Sequence, residues 1–206
     1  MTGPATRVSI LSIYLLQCRM RPFYRKQAGV SKRIIFASRG SAVANTRTAG
    51  HLKRMKTLAN AKDKEEIALR LRTIRPDSTR QWGKMTVSEM VCHLNDALRV
   101  SMGEKPARSV SNWFSRSVFK WAGLWFPTQW PHGVKTVPEC DARAGGTKPA
   151  EMNVDLKELR ESLDRFTRRP RGYELQSHPI FGVMNEKEWM RWGYLHMDHH
   201  LRQFGA

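Results

Sequence analysis

Acidic residues are missing from the first quarter of the chain: residues 1–54 hold eleven Lys/Arg and no Asp or Glu, and Asp63 is the first carboxylate. Of the formal net charge of +18, the remainder of the chain accounts for only +7, from 25 basic and 18 acidic groups. The charge of a nucleic-acid binder therefore belongs to the N-terminal quarter, and no nucleic-acid partner is expected for the body. Cysteine is scarce. Cys18, Cys92 and Cys140 are too few and too scattered for a disulfide framework, which points to a reducing, cytoplasmic setting. Long hydrophobic runs are lacking too. The apolar run Val8 to Cys18 falls short of the roughly 20 residues a membrane span needs, so no membrane partner is expected. The lone Gly145-Gly146 pair has none of the spacing of a phosphate-binding loop.

The Val8–Cys18 run could form the centre of a secretory signal, but Arg19, Arg21, Arg25 and Lys26 follow at once with no clear small-x-small cleavage site. An acid-free, Arg- and Ser-containing stretch also matches the composition of an organellar transit peptide. Met55-Lys56-Thr57-Leu58 reads like a natural start, and coherent helical patterning begins only after it. The expectation is a disordered or spurious basic extension over residues 1–54, then one domain over 55–206. A mass measurement on natively expressed protein that finds residues 1–54 intact would sink the misassigned-start reading.

What the body does contain is helix-forming pattern. Asp63 can cap a first helix with Glu66 at the capping-box position, Ile67, Leu71 and Ile74 form its stripe, and Pro76 stops it. Gln81-Trp82-Gly83-Lys84-Met85 is a turn. Thr86 and Glu89 open a second helix to about Ser101, apolar through Val87, Met90, Val91, Leu94 and Leu98, with Asn95 and Arg99 marking its outer face. All seven Trp and seven of the ten Met fall between residues 82 and 197. Among them, Trp113 to Phe126 suggests a short apolar helix broken by Pro127, Pro131 and Gly133, expected to be core or pocket wall rather than a base-stacking surface. A salt-bridged surface helix follows from Pro149 to about Phe166, then the basic loop Arg168 to Gly172, which is either an anion patch or merely solvated. After the His178-Pro179-Ile180-Phe181-Gly182 turn, Asn185 and Glu188 mark the last capped start. The economical arrangement is all-α, with four main helices in a bundle.

Three of the seven histidines crowd the last helix at His196, His199 and His200. His196 and His200 stand at i and i+4, on one face with Trp189, Trp192/Gly193 and Gln203, while His199 and Asp198 point elsewhere. Gly193 leaves room for a neighbour or a ligand. Two imidazoles one turn apart can share a metal ion but need a third ligand. His93, at the edge of the second helix's apolar face, is the right residue type in the right setting, with Asp96 one turn on to orient its ring or to serve as a plain surface charge. Zinc with three protein ligands keeps a position for water or substrate, although nickel, cobalt, iron or copper suits the same nitrogens. A zinc-protease reading fails because Met197 stands where that motif requires Glu.

The run His196-Met197-Asp198-His199-His200-Leu201-Arg202-Gln203, with Thr86-x-x-Glu89-Met90-x-x-His93-Leu94 upstream, resembles the DinB/YfiT-like superfamily. Over Met55 to Gly205 the chain is more closely similar to a bacterial branch catalogued only as a domain of unknown function. That branch shares the Gln81–Met85 turn, the His178-Pro179-x-Phe181-Gly182 turn and a His-His-Leu-Arg-Gln-Phe-Gly ending. The resemblance implies a four-helix bundle with a divalent metal on three histidines, which fall on His93, His196 and His200, and a non-ligating neighbour at His199. Characterised members include transferases that attach low-molecular-weight thiols to electrophiles, a thiol-dependent isomerase and suspected hydrolases. The expected function is thus a metal-dependent thiol S-transferase or hydrolase acting on a small molecule. The alternative is a non-catalytic bundle that holds a metal or small ligand. Gln203 and Asp96 are the expected supporting residues, catalytic residues stay unassigned, a homodimer is allowed, and the aromatic insert around Trp113–Trp130 is expected to reshape the pocket mouth.

Overall fold

Local signals in the chain set the helix starts. In the computed structural model, which describes residues 54–126 and 129–206, the first helix, α1, runs Ala61–Thr73 and is capped by Asn60, whose side chain accepts from the amides of Lys62 and Asp63. Asp63 was expected as the cap. It lies inside the first turn instead, buried, with Oδ2 accepting the Thr57 amide at 2.9 Å. α2 spans Val87–Ser101 with a complete capping box: the Glu89 amide donates to Thr86 Oγ1 and the Thr86 amide to Glu89. A helical run follows over residues 113–125, with a π-helical turn at Ser115–Phe119 leading into α3, Lys120–Trp125. A 3-10 turn at Pro138–Cys140 precedes α4, Met152–Thr167. The last helix, α5, spans Glu186–Gln203 behind a second capping box built by Asn185 and Glu188. The described residues form no strand; His178 and Gly182 make one isolated bridge. None of their helices is long and apolar enough to cross a membrane. The expectations for residues 1–53 and for Pro127 as a helix breaker lie outside the described residues.

Residues 55–206 form one unit. α2 packs against both α4 and α5, while α1 and α3 pack on α5. Ile67 and Leu71 of α1, Met90, Leu94 and Leu98 of α2, Leu124 of α3, Leu159 and Phe166 of α4, and Trp189, Met197 and Leu201 of α5 share one buried core. A side chain of this kind contributes about 1.5–3 kcal/mol when fully buried. Its central position makes α2 buried nearly all round, which overturns the reading of Asn95 as a marker of its outer face. Asn95 is buried and its Oδ1 accepts from Ser162 Oγ on α4 at 2.6 Å. The space at Gly193 goes to a neighbour: a Cβ there would stand 2.7 Å from Leu58 Cδ1. The basic loop after α4 is engaged rather than open to anions, since Arg169 and Arg171 both pair with Glu186.

The 113–125 run departs from its expected burial. Ser115, Gly123 and Leu124 face inward, and Phe119 packs on Phe181 with ring centroids 5.6 Å apart. Trp113, Val118, Trp121 and Phe126 are exposed. Arg116 and Lys120 mark a polar stripe, but large apolar residues stand on either side of it, so the pattern does not say which of them meets the core.

Candidate metal centre

The two capping boxes fix where α2 and α5 start, and hence which way each later side chain points. The outcome is that His93 from α2 meets His196 and His200 from α5. Ring centroids lie 5.0 Å apart for His93–His196, 4.7 Å for His93–His200 and 4.9 Å for His196–His200. One ring nitrogen from each falls within 4.8 Å of the other two. The shortest approach is between the Nε2 atoms of His93 and His196, at 3.0 Å.

Hydrogen bonds on the far side of the rings decide which nitrogens carry protons. His93 Nδ1 donates to the Cys140 carbonyl at 2.9 Å, which leaves its Nε2 lone pair facing His196. His200 Nδ1 donates to Gln203 Oε1 at 2.8 Å. The Gln203 amide cannot be reversed without loss, because its Nε2 donates to the Trp82 carbonyl at 2.9 Å. The Gln81 amide in turn donates to the Gln203 carbonyl at 2.8 Å, seating the Gln81–Met85 turn on the end of α5. Gln203 thus holds one of the three imidazoles through its Nδ1–H.

Asp96 does something else. Its carboxylate takes the Thr147 amide, the Thr147 hydroxyl and Lys105 Nζ, each at 2.7 Å. The expected contact to the His93 ring is replaced by the Cys140 carbonyl, and with three donors on a buried carboxylate Asp96 is no plain surface charge either. It secures the loop that follows Cys140. A main-chain carbonyl leaves no signature in the sequence, so this partner of His93 could not be read from it.

Burial lowers the pKa of His93, and the bond to Cys140 opposes that shift without cancelling it. Burial, reinforced by the neighbouring imidazoles, holds His196 and His200 well below the ordinary value. The cluster therefore presents neutral rings, the ligating form of histidine. These donors suit a divalent cation of the borderline type: three convergent imidazoles, two with their outer N–H already satisfied, and a His93 Nε2 lone pair that here accepts only from His196 Nε2–H at 3.0 Å.

Aromatic rings wall the cluster. Trp192 lies 4.9 Å and Trp130 6.0 Å from His196, centroid to centroid. Trp130 is held by its Nε1–H donating to the Gly123 carbonyl at 2.7 Å, which ties the insert to the site. His199 stands outside the triad, as its helical angle requires, near Trp82, Trp130 and His132. Burial pushes its pKa down to about 4. His132 stacks on Trp82 at 4.1 Å, a contact that nothing in the local pattern announced.

No curated protein and no solved structure matches this chain. The family model described as protein of unknown function, DUF1569, matches residues 53–206, a span that contains every residue of the histidine cluster. The chain belongs to that family.

Proposed function

We propose that this chain is a metal-dependent enzyme of the DinB/YfiT-like kind, a four-helix bundle in which His93, His196 and His200 hold a divalent cation. The proposed reaction is thiol S-transfer or hydrolysis on a small molecule. The convergence of three neutral imidazoles from two helices, with outer nitrogens engaged by Cys140 and Gln203, carries the reading. A cation on three protein ligands supplies a Lewis acid with an open position at which a water or thiol becomes more acidic.

The chain's own residues define the rest. The Cys140 carbonyl and Gln203 fix the proton on Nδ1 of His93 and His200, so each offers Nε2. Trp130 and Trp192 shield one side of His196 from water. Cys92 and Cys140 are not the thiol, because burial pushes both up to about 12. A thiol used in the reaction enters as a low-molecular-weight cosubstrate. One observation favours the non-catalytic alternative: among the described residues no carboxylate bonds the three rings, Asp96 being spent on Thr147 and Lys105, and Asp198 on Arg70 and Arg202.

Elemental analysis of the purified protein tests the centre. Near one equivalent of metal in the wild type and less than half of that in His196→Ala is expected; a wild type below half an equivalent, unchanged by the substitution, sinks it. Screening the loaded protein against thiol–electrophile pairs and hydrolysable esters then separates enzyme from holder.

A further inference from the structure

The 113–125 helix has two apolar sides, and only one of them is used. Its inner side is anchored: Leu124 is fully buried, Gly123 lies against Phe181, and Arg191 of α5 donates to the Leu124 carbonyl at 2.9 Å. Its outer side presents Trp113 at 77 % exposure, Trp121 at 59 % and Val118, with Phe126 just beyond. Two exposed valines from adjoining turns extend this surface. Val110 is held by its amide to the Pro179 carbonyl, and Val183 by its carbonyl to Lys120 Nζ. A helix that leaves large apolar side chains wet on one side, beyond its polar Arg116 and Lys120, has an unmet partner.

Charge narrows the choice. From Lys105 to Pro138 the sequence holds five basic residues and no acid. Lys105 is spent on Asp96 and Lys120 on Glu188, while the side chains of Arg108, Arg116 and Lys135 form no ion pair among the described residues, Glu139 taking only the Arg108 amide. A second copy of the chain docking here across a two-fold axis would bring two such acid-free segments together, which like-charge repulsion opposes. Single-stranded nucleic acid needs π-faces, and half of the six exposed side chains are valines. Tryptophan with aliphatic neighbours beside uncompensated Arg and Lys is the composition that sits at the headgroup–acyl boundary of an anionic lipid layer.

We propose that the outer face of residues 113–126, with Val110 and Val183, is a peripheral docking element for anionic lipid surfaces, anchored by Trp113 and Trp121. It does not depend on the metal centre, and its contact is interfacial, with no helix passing through the bilayer.

The test is co-sedimentation of the full chain with phosphatidylcholine vesicles with and without about one-third phosphatidylserine, comparing wild type with Trp113→Ser/Trp121→Ser. Both positions are exposed, and far-UV circular dichroism checks that the variant is folded. The acid-free residues 1–54 are present in both proteins, so their charge attraction is held constant. Expected are wild-type binding that strengthens with phosphatidylserine, a blue shift of tryptophan emission, and affinity at least about tenfold lower in the variant. Acyl-chain-brominated lipids give a second reading on the wild type alone, and quenching of its emission supports the proposal. Equal binding by both proteins, absence of wild-type binding, or no bromine quenching overturns it. A wild-type dimer that the variant dissociates, without vesicle binding, overturns it in favour of an interface between copies.

Discussion

At the residue scale, the three imidazoles depend on groups that do not themselves face the cluster centre. Gln203 is one, and replacing it with Leu strips His200 of its Nδ1 acceptor and frees the Trp82 turn. Metal affinity should fall by about 10–100-fold in a chelator competition, with helicity kept. His178 poses a different question. It is buried, its Nδ1 accepts the amides of Ile180 and Phe181, and burial pushes its pKa down to about 3. The fold therefore binds this ring neutral while the unfolded chain protonates it near pH 6.5. Its contribution is complete above that pH and drains away as pH falls from about 6.5 toward 3, the loss reaching about 2 kcal/mol at pH 5. His178→Asn keeps an acceptor and removes the titration, so its urea midpoint should depend less on pH between 6.5 and 4 than that of the wild type. The pairing of His196 with His200 was legible because histidines at i and i+4 declare a common face, whereas the approach of His93 from another helix has no local signature. The Cys140 carbonyl was not legible, and Asp96 misled, because a residue one turn away need not share the direction of the ring.

At the element scale, α2 and α5 matter most, and each starts with a reciprocal cap visible in four residues of sequence. Glu89 is doubly used, since Arg143 also clasps it at 2.8 Å, and that bond first and the Thr86 cap after it lower its pKa to about 2. Its contribution is present above the ordinary carboxylate range and is lost as pH falls through about 2. Thr86→Ala should cost about 1 kcal/mol in denaturant unfolding and leave metal content unchanged. α1 was legible to within a few residues, the difference being its cap, Asn60, which stands three positions before Asp63. The insert was less legible. Its helix could be read from density of apolar residues, but its π-helical turn and its wet face depend on what α5 and the Phe181 turn leave uncovered.

At the scale of the whole molecule, the element order and the all-helical class followed from periodicity, whereas the depth of α2 did not. A helix clamped between α4, α5 and the 3-10 turn hides a polar residue such as Asn95 that sequence alone sends outward. The same arrangement brings together positions far apart in the chain: His93 and His196 touch across 103 residues. A cation held between them, as proposed, would tie that span into a ring, and a permanent cross-link of similar length removes about 4–5 kcal/mol of chain entropy from the unfolded state. Both cysteines of the described residues are free thiols, so no covalent bridge does this work there. Stripping the metal with a chelator should lower the thermal midpoint, restoring it should recover the loss, and His93→Ala should show neither response. The protein would then carry a removable staple, one whose closure depends on metal supply rather than on redox state.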